Sequence, residues 1–141
     1  MPKEAPMKAV PQISHYMTTH PHSVRVDLCI SKADKMMKEF KIRHLPVMEH
    51  EKLIGIISDR DIKFVMAFKD VNPDVTTISE IVIEDPYIVK PSSLLSDVCA
   101  EMSAHKYGSA LVVDNNKLVG IFTWVDALGA VSELFEGRLK K

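Results

Sequence analysis

Apolar residues recur along this chain with two different periods. Ile30, Ala33, Met37 and Phe40 share one face of a helix, and Leu95, Val98 and Met102 repeat the pattern. Each helical stretch is followed by two short apolar runs around a polar dipeptide, which predicts a β-hairpin with a two-residue loop. The dipeptide is Asn115-Asn116 in the second case, which tolerates a left-handed turn, and the poorer turn His50-Glu51 in the first. The later run of each pair, Leu53–Ser58 or Leu118–Thr123, leads into another helix beginning at Asp59 or Trp124. Ahead of each first helix stand one predicted helical turn (Ile13–Met17, Ile78–Val82), a proline (Pro21, Pro86) and a short extended piece (Ser23–Val26, Ile88–Lys90). Asp27 and Ser92 are the expected N-caps.

The two patterns are one pattern repeated. At an offset of 65, without a gap, 13 of the 51 positions from Ile13 to Lys63 are identical in both copies. Among them are Ile13/Ile78, Pro21/Pro86, Lys41/Lys106, Gly55/Gly120 and Asp61/Asp126. Gly, Pro and Asp falling in register argue against coincidence of composition. Each copy reads β-α-β-β-α. A unit of about 50 residues with one three-stranded sheet and two helices cannot bury both faces alone. The expected fold is therefore α+β, two repeats packed sheet to sheet about a pseudo-twofold axis, with clefts between them suited to small molecules.

The boundaries follow. Residues 1–12 carry three prolines and no periodicity, and are expected to be a mobile arm. The repeats are set at 13–68 and 78–131, the connector at 69–77, and a helical extension at 132–141. On that extension Leu128, Val131, Leu134 and Phe135 share an apolar face.

Composition narrows the function classes. With 18 Lys and Arg against 19 Asp and Glu, the chain lacks the positive excess of a protein that neutralises nucleic-acid backbone. The longest apolar run, Leu53–Ile57, is too short for a bilayer, and the amino terminus has no secretory core region. Two cysteines, Cys29 and Cys99, are no disulfide framework, and a cytoplasmic location is expected. No spacing says whether the two cysteines meet.

The junction from the second strand to the second helix carries the candidate chemistry. Copy one reads Gly55-Ile56-Ile57-Ser58-Asp59-Arg60-Asp61; copy two reads Gly120-Ile121-Phe122-Thr123-Trp124-Val125-Asp126. A hydroxyl at a helix start lies beside free backbone N–H groups that attract anions, and an acid one turn on can accept a ribose diol. The same Ser-x-x-Asp or Thr-x-x-Asp spacing also resembles a capping box, which implies no ligand. Both readings stand.

Those motifs, with Leu45-Pro46-Val47 and Gly108–Asp114, resemble a tandem cystathionine-β-synthase (CBS) domain pair, or Bateman module. The resemblance covers about residues 13–131. It implies that Asp61 and Asp126 bind ribose hydroxyls, and that Ser58 and Thr123 contact ribose or phosphate. The implied ligands are adenosine derivatives: AMP, ADP or ATP, or else S-adenosylmethionine, NAD or a cyclic dinucleotide. A Mg²⁺ ion would accompany nucleotide phosphate. Arg43 and His44, ahead of the first hairpin, and Arg60 are candidates for phosphate, or ordinary solvated residues. Their counterparts Gly108, Ser109 and Val125 are uncharged, so the first site is expected to favour phosphate charge more. Trp124 is read as a stacking surface for adenine or as an interface residue.

The six histidines have no spacing for a metal site, and the methionines fall on helical faces as core filler. No nucleophile–base pair and no phosphate-binding glycine loop is present, so an enzyme is not expected. The reading is a regulatory nucleotide-binding module with no effector domain of its own. The resemblance implies a homodimer through the helices starting near Asp59 and Trp124, whose apolar residues suit an intramolecular core equally, and a regulated partner on a separate chain. The alternative is a ligand-independent adaptor scaffold.

Overall fold

A computed structural model describes residues 9–139. The first half contains β1 (Thr18–Thr19), β2 (Val24–Arg25), α1 (Ile30–Phe40), β3 (His44–Glu49), β4 (Lys52–Ser58) and α2 (Asp59–Met66). The second contains β5 (Ile83–Glu84), β6 (Ile88–Val89), α3 (Leu95–His105), β7 (Ser109–Asp114), β8 (Lys117–Thr123) and α4 (Trp124–Leu139). A single 3₁₀ turn precedes each half, at Ile13–His15 and Ile78–Glu80.

Both hairpins form with the expected two-residue loops, pairing Glu49 with Lys52 and Asp114 with Lys117. Asn115 and Asn116 both take positive φ, whereas only His50 does so in the first loop. Each hairpin shows a register shift at the same place, between Val47 and Met48 and between Val112 and Val113. The repeat therefore extends to backbone irregularities.

The sheets have four strands rather than three, and the fourth is exchanged. One sheet runs β2-β3-β4-β5, the other β1-β8-β7-β6. The opening segment of each repeat joins the sheet of the other. Ile13 is buried in one core with Val89, Leu95, Val98 and Phe122, while Ile78 is buried in the other with Val24, Ile30, Leu45 and Ile62. The exchange accounts for one repeated glycine. A Cβ on Gly120 would lie 2.5 Å from Met17 Sδ and 3.1 Å from the Thr18 carbonyl, where β1 crosses it.

Two expectations are corrected. The first helices begin three residues past Asp27 and Ser92, with Cys29 and Leu94 at the N-cap positions and no side-chain cap bond at either. Backbone carbonyls of the exchanged segments do that work: Ile30 N donates to Thr76 O, Ser31 N to Pro73 O, and Leu95 N to Pro11 O. The same bonds tie down part of the expected mobile arm, since Gln12 also bridges Leu94. Residues 1–8 of that arm lie outside the described residues. The 69–77 connector, likewise, is pinned through Pro73 and Thr76 to the start of α1. Cys29 and Cys99 are both free. No helix among the described residues is long and apolar enough to cross a membrane.

Candidate functional site

The β4–α2 junction is a complete capping box. Ser58 Oγ accepts the Asp61 backbone N–H at 3.1 Å, and Asp61 Oδ2 accepts the Ser58 N–H at 3.0 Å and the Ser58 hydroxyl at 2.8 Å. All of these bonds to the carboxylate fall on Oδ2, and no described residue donates to Oδ1. Cap and ligand roles are therefore compatible in one residue. The β8–α4 junction is looser. Asp126 Oδ2 accepts the Thr123 N–H at 2.9 Å and its hydroxyl at 3.3 Å, and Thr18 of the exchanged strand donates to Asp126 Oδ1 at 3.4 Å.

Each junction opens into a cleft whose opposite wall comes from the other repeat. The first cleft, about 620 Å³, sets Ser58 and Asp61 against Pro86, Tyr87, Lys106 and Tyr107. The second, about 290 Å³, sets Thr123 and Asp126 against Pro21, His22, Lys41 and Ile42. Those opposing residues are the same positions one repeat apart: Pro86/Pro21, Tyr87/His22, Lys106/Lys41, Tyr107/Ile42. The pseudo-twofold therefore generates two versions of one site.

Sequence reasoning missed these opposing walls because they come from the other copy. The signal for one pair was present, since Lys41 and Lys106 are identical in the repeat. Each ends the first helix of its repeat in the left-handed conformation, at φ 55° and 59°. A lysine held there costs roughly 1–2 kcal/mol relative to a right-handed residue. The left-handed residue turns the chain, and the next residues, Ile42 and Tyr107, line the clefts.

The expected charge asymmetry is arranged differently in space. Arg43 and His44 line both clefts, not the first alone, and so does Trp124. The first cleft balances three carboxylates (Asp59, Asp61, Asp85) against Arg43, Arg60 and Lys106. The second has one carboxylate, Asp126, facing Lys41 and Arg43 beside His20 and His22. The positive excess thus lies in the second cleft. Asp85 and His20 occupy the same repeat position, which supplies much of the difference.

His44 is largely buried against the other repeat: a Cβ on Gly108 would sit 3.0 Å from His44 Nε2. Burial pushes its pKa below the ordinary histidine value, with Arg43 acting the same way and Asp61 and Asp59 opposing. The first cleft also carries a stack of rings. Tyr87 and Tyr107 lie 5.2 Å apart at 29°, and His105 stacks on Tyr107 at 5.1 Å. In the second cleft the corresponding position, His22, stacks instead on Phe40 at 3.8 Å. Among the described residues no group of three or more His, Cys, Asp or Glu is placed to hold a metal.

The sequence profile of the CBS domain matches residues 13–67 and 78–133. The chain belongs to the CBS domain family. Its two sheets and four helices form a CBS domain pair. The pair superposes on a putative acetoin utilization protein (AcuB) of Vibrio cholerae with a TM-score of 0.83 at 28% identity, over 94% of this chain and 98% of that one. It also superposes on the CBS domain pair of protein MJ0100 with a TM-score of 0.77 at 28% identity, over 92% and 98% of the two chains. That protein's structure is a complex with 5′-methylthioadenosine and S-adenosyl-L-methionine. An L-aspartate semialdehyde sulfurtransferase of Methanocaldococcus jannaschii is 30% identical over 136 residues. The CBS pair covers 94% of its own length there, but only 25% of the relative's.

Proposed function

We propose that this CBS pair is a ligand-sensing regulatory module that binds adenosine derivatives of the AMP, ADP and ATP class in its two inter-repeat clefts. The observation that carries the reading is the duplicated junction. Each cleft presents a carboxylate at a helix start, as a ribose diol requires, and faces it with a lysine and a ring from the other repeat. Asp61 and Asp126 hold ribose hydroxyls, Ser58 and Thr123 border the ribose and phosphate, and Arg43, His44 and Arg60 meet phosphate, with Mg²⁺ supplied by the nucleotide. A ligand wedged between the repeats favours one relative placement of the sheets. That population shift is the signal to a separate partner chain. The similar MJ0100 pair, crystallised with two adenosyl compounds, supports the adenosyl class and keeps S-adenosylmethionine among the candidates beside NAD and cyclic dinucleotides. The role is binding rather than catalysis.

Thermal melts with AMP, ADP, ATP, NAD, S-adenosylmethionine and cyclic dinucleotides test this. A ligand at 100 times its dissociation constant adds about 2.7 kcal/mol of stability. A shift with a member of the panel, lost in the Asp61→Asn/Asp126→Asn protein, is expected. No shift with any of them at millimolar concentration refutes the sensor reading.

A specific observation favours the adaptor reading as a second function. Phe64 of α2 and Phe68 just past its end pack edge to face at 5.3 Å yet are 66% and 54% exposed. Leu128, Val131, Leu134 and Phe135 of α4 are exposed as well. Two such helices suit a homodimer with the clefts left accessible.

A further inference from the structure

We infer that Arg43 is a single phosphate-directed cation shared by both clefts, so that a phosphate-bearing ligand in one cleft weakens binding of the same ligand in the other. The inference rests on the reading that the clefts take adenosine nucleotides. Three observations carry it. Arg43 lines both clefts, while its counterpart one repeat later is Gly108, so the pseudo-twofold supplies one guanidinium for two sites. The Arg43 backbone is held beside the other repeat: its carbonyl accepts the Asp59 N–H of its own repeat at 2.8 Å, and the next residue, His44, lies against Gly108 of the other. Its side chain is exposed and makes no ion pair with a described residue. An anchored base with an unengaged planar cation is suited to reach into either cleft.

A guanidinium grips one phosphate through paired N–H groups, and that geometry commits it to one site at a time. The first nucleotide to bind recruits Arg43; the second binds without it. Direct repulsion between two bound phosphates has the same sign, but it has a different signature. Deleting Arg43 abolishes competition for the side chain and leaves the repulsion in place. An uncharged nucleoside experiences neither effect.

Isothermal titration of the full chain with AMP and with adenosine separates these cases. Asp126→Asn and Asp61→Asn each weaken one cleft, which isolates the other, and each is combined with Arg43→Gly. Adenosine binding to the intact cleft with wild-type affinity shows that the variant is folded. Sharing predicts that Arg43→Gly weakens AMP by at least about fivefold in both single-cleft proteins, the lower end of ordinary coupling factors, and leaves adenosine unchanged. It also predicts that the product of the two stepwise AMP association constants in the wild type is smaller, by a similar factor, than the product of the single-cleft association constants. That shortfall disappears on Arg43→Gly and is smaller in Arg43→Lys, whose ammonium keeps the charge without the paired N–H groups. Dependence on Arg43 in only one cleft overturns the inference. So does a shortfall that persists or grows in Arg43→Gly, or constants that multiply without a shortfall. If one Asp variant fails to fold, the stepwise AMP association constants of the otherwise unaltered chain still test the inference: sharing predicts that Arg43→Gly raises the ratio of the second constant to the first, and an unchanged or lower ratio overturns it. If neither AMP nor adenosine binds the wild type, the nucleotide reading fails and this inference with it; binding without coupling overturns the inference alone.

Discussion

Removing one hydroxyl distinguishes the two strand-to-helix junctions. In Ser58→Ala the chain loses the bond from the Asp61 N–H to Oγ and the 2.8 Å bond from the hydroxyl to Asp61 Oδ2. The 3.0 Å bond from the Ser58 N–H to the carboxylate remains. Loss of a serine N-cap costs about 1 kcal/mol, within a range of roughly 0.5–2. Because α2 has only eight residues, few other bonds hold its first turn in place. In Thr123→Ala the hydroxyl gives up one long bond of 3.3 Å, and the 2.9 Å backbone bond to Asp126 is kept. That loss falls at or below the lower end of a net hydrogen bond, about 0.5 kcal/mol. Equilibrium urea unfolding measures both. With a slope near 2 kcal/mol/M, Ser58→Ala lowers the midpoint by about 0.5 M at unchanged slope, and Thr123→Ala by about half that or less. A Thr123→Ala effect equal to or larger than that of Ser58→Ala would show that the cap geometry does not set these stabilities. A Ser58→Ala shift below about 0.2 M would refute the cap assignment outright.

Other expectations follow from the packing and the charges. Ile13→Ala costs about 2–5 kcal/mol, as a buried core position does, although Ile13 opens the first repeat and packs in the core of the second; urea unfolding of the variant checks it. A surface-like effect under about 1 kcal/mol would contradict the exchanged topology. Gly120→Val pushes against Met17 and the Thr18 carbonyl and destabilises by roughly 1–3 kcal/mol, with hydrogen exchange rising first at β1. The depressed pKa of His44 makes stability pH-dependent. The unfolded chain binds the proton more readily, so stability is complete above about pH 7 and falls as pH drops through the ordinary histidine value of 6.5 toward the folded one. His44→Gln removes that part of the slope in unfolding curves collected across this window; an unchanged slope assigns it to other groups. If the exposed helix faces form the homodimer, Leu128→Glu with Phe135→Glu shifts sedimentation from dimer to monomer without loss of helical circular dichroism.

The repeat, both hairpins and the second helices were legible in the sequence. These features depend on residues close in the chain: helical spacing, turn chemistry and the Ser-x-x-Asp cap. Asp27 and Ser92 were misread as caps because the groups that satisfy α1 and α3 are backbone carbonyls from distant segments, and carbonyls have no sequence signature. The opposing wall of each cleft was illegible for the same reason. Lys106 and Tyr107 face Ser58 and Asp61 only because the second repeat packs across the first.

The sequence by itself determined that this chain is a duplicated β-α-β-β-α unit with an acid at each strand-to-helix junction. Local periodicity and a fixed offset are enough for that. Tertiary structure alone decided that each repeat completes the other's sheet, and that Arg43 and His44 lie between two clefts rather than in one. It also decided that the positive excess falls on the Asp126 side. Those facts depend on how two half-buried sheets cover each other, which is set by apolar area and shape rather than by any motif.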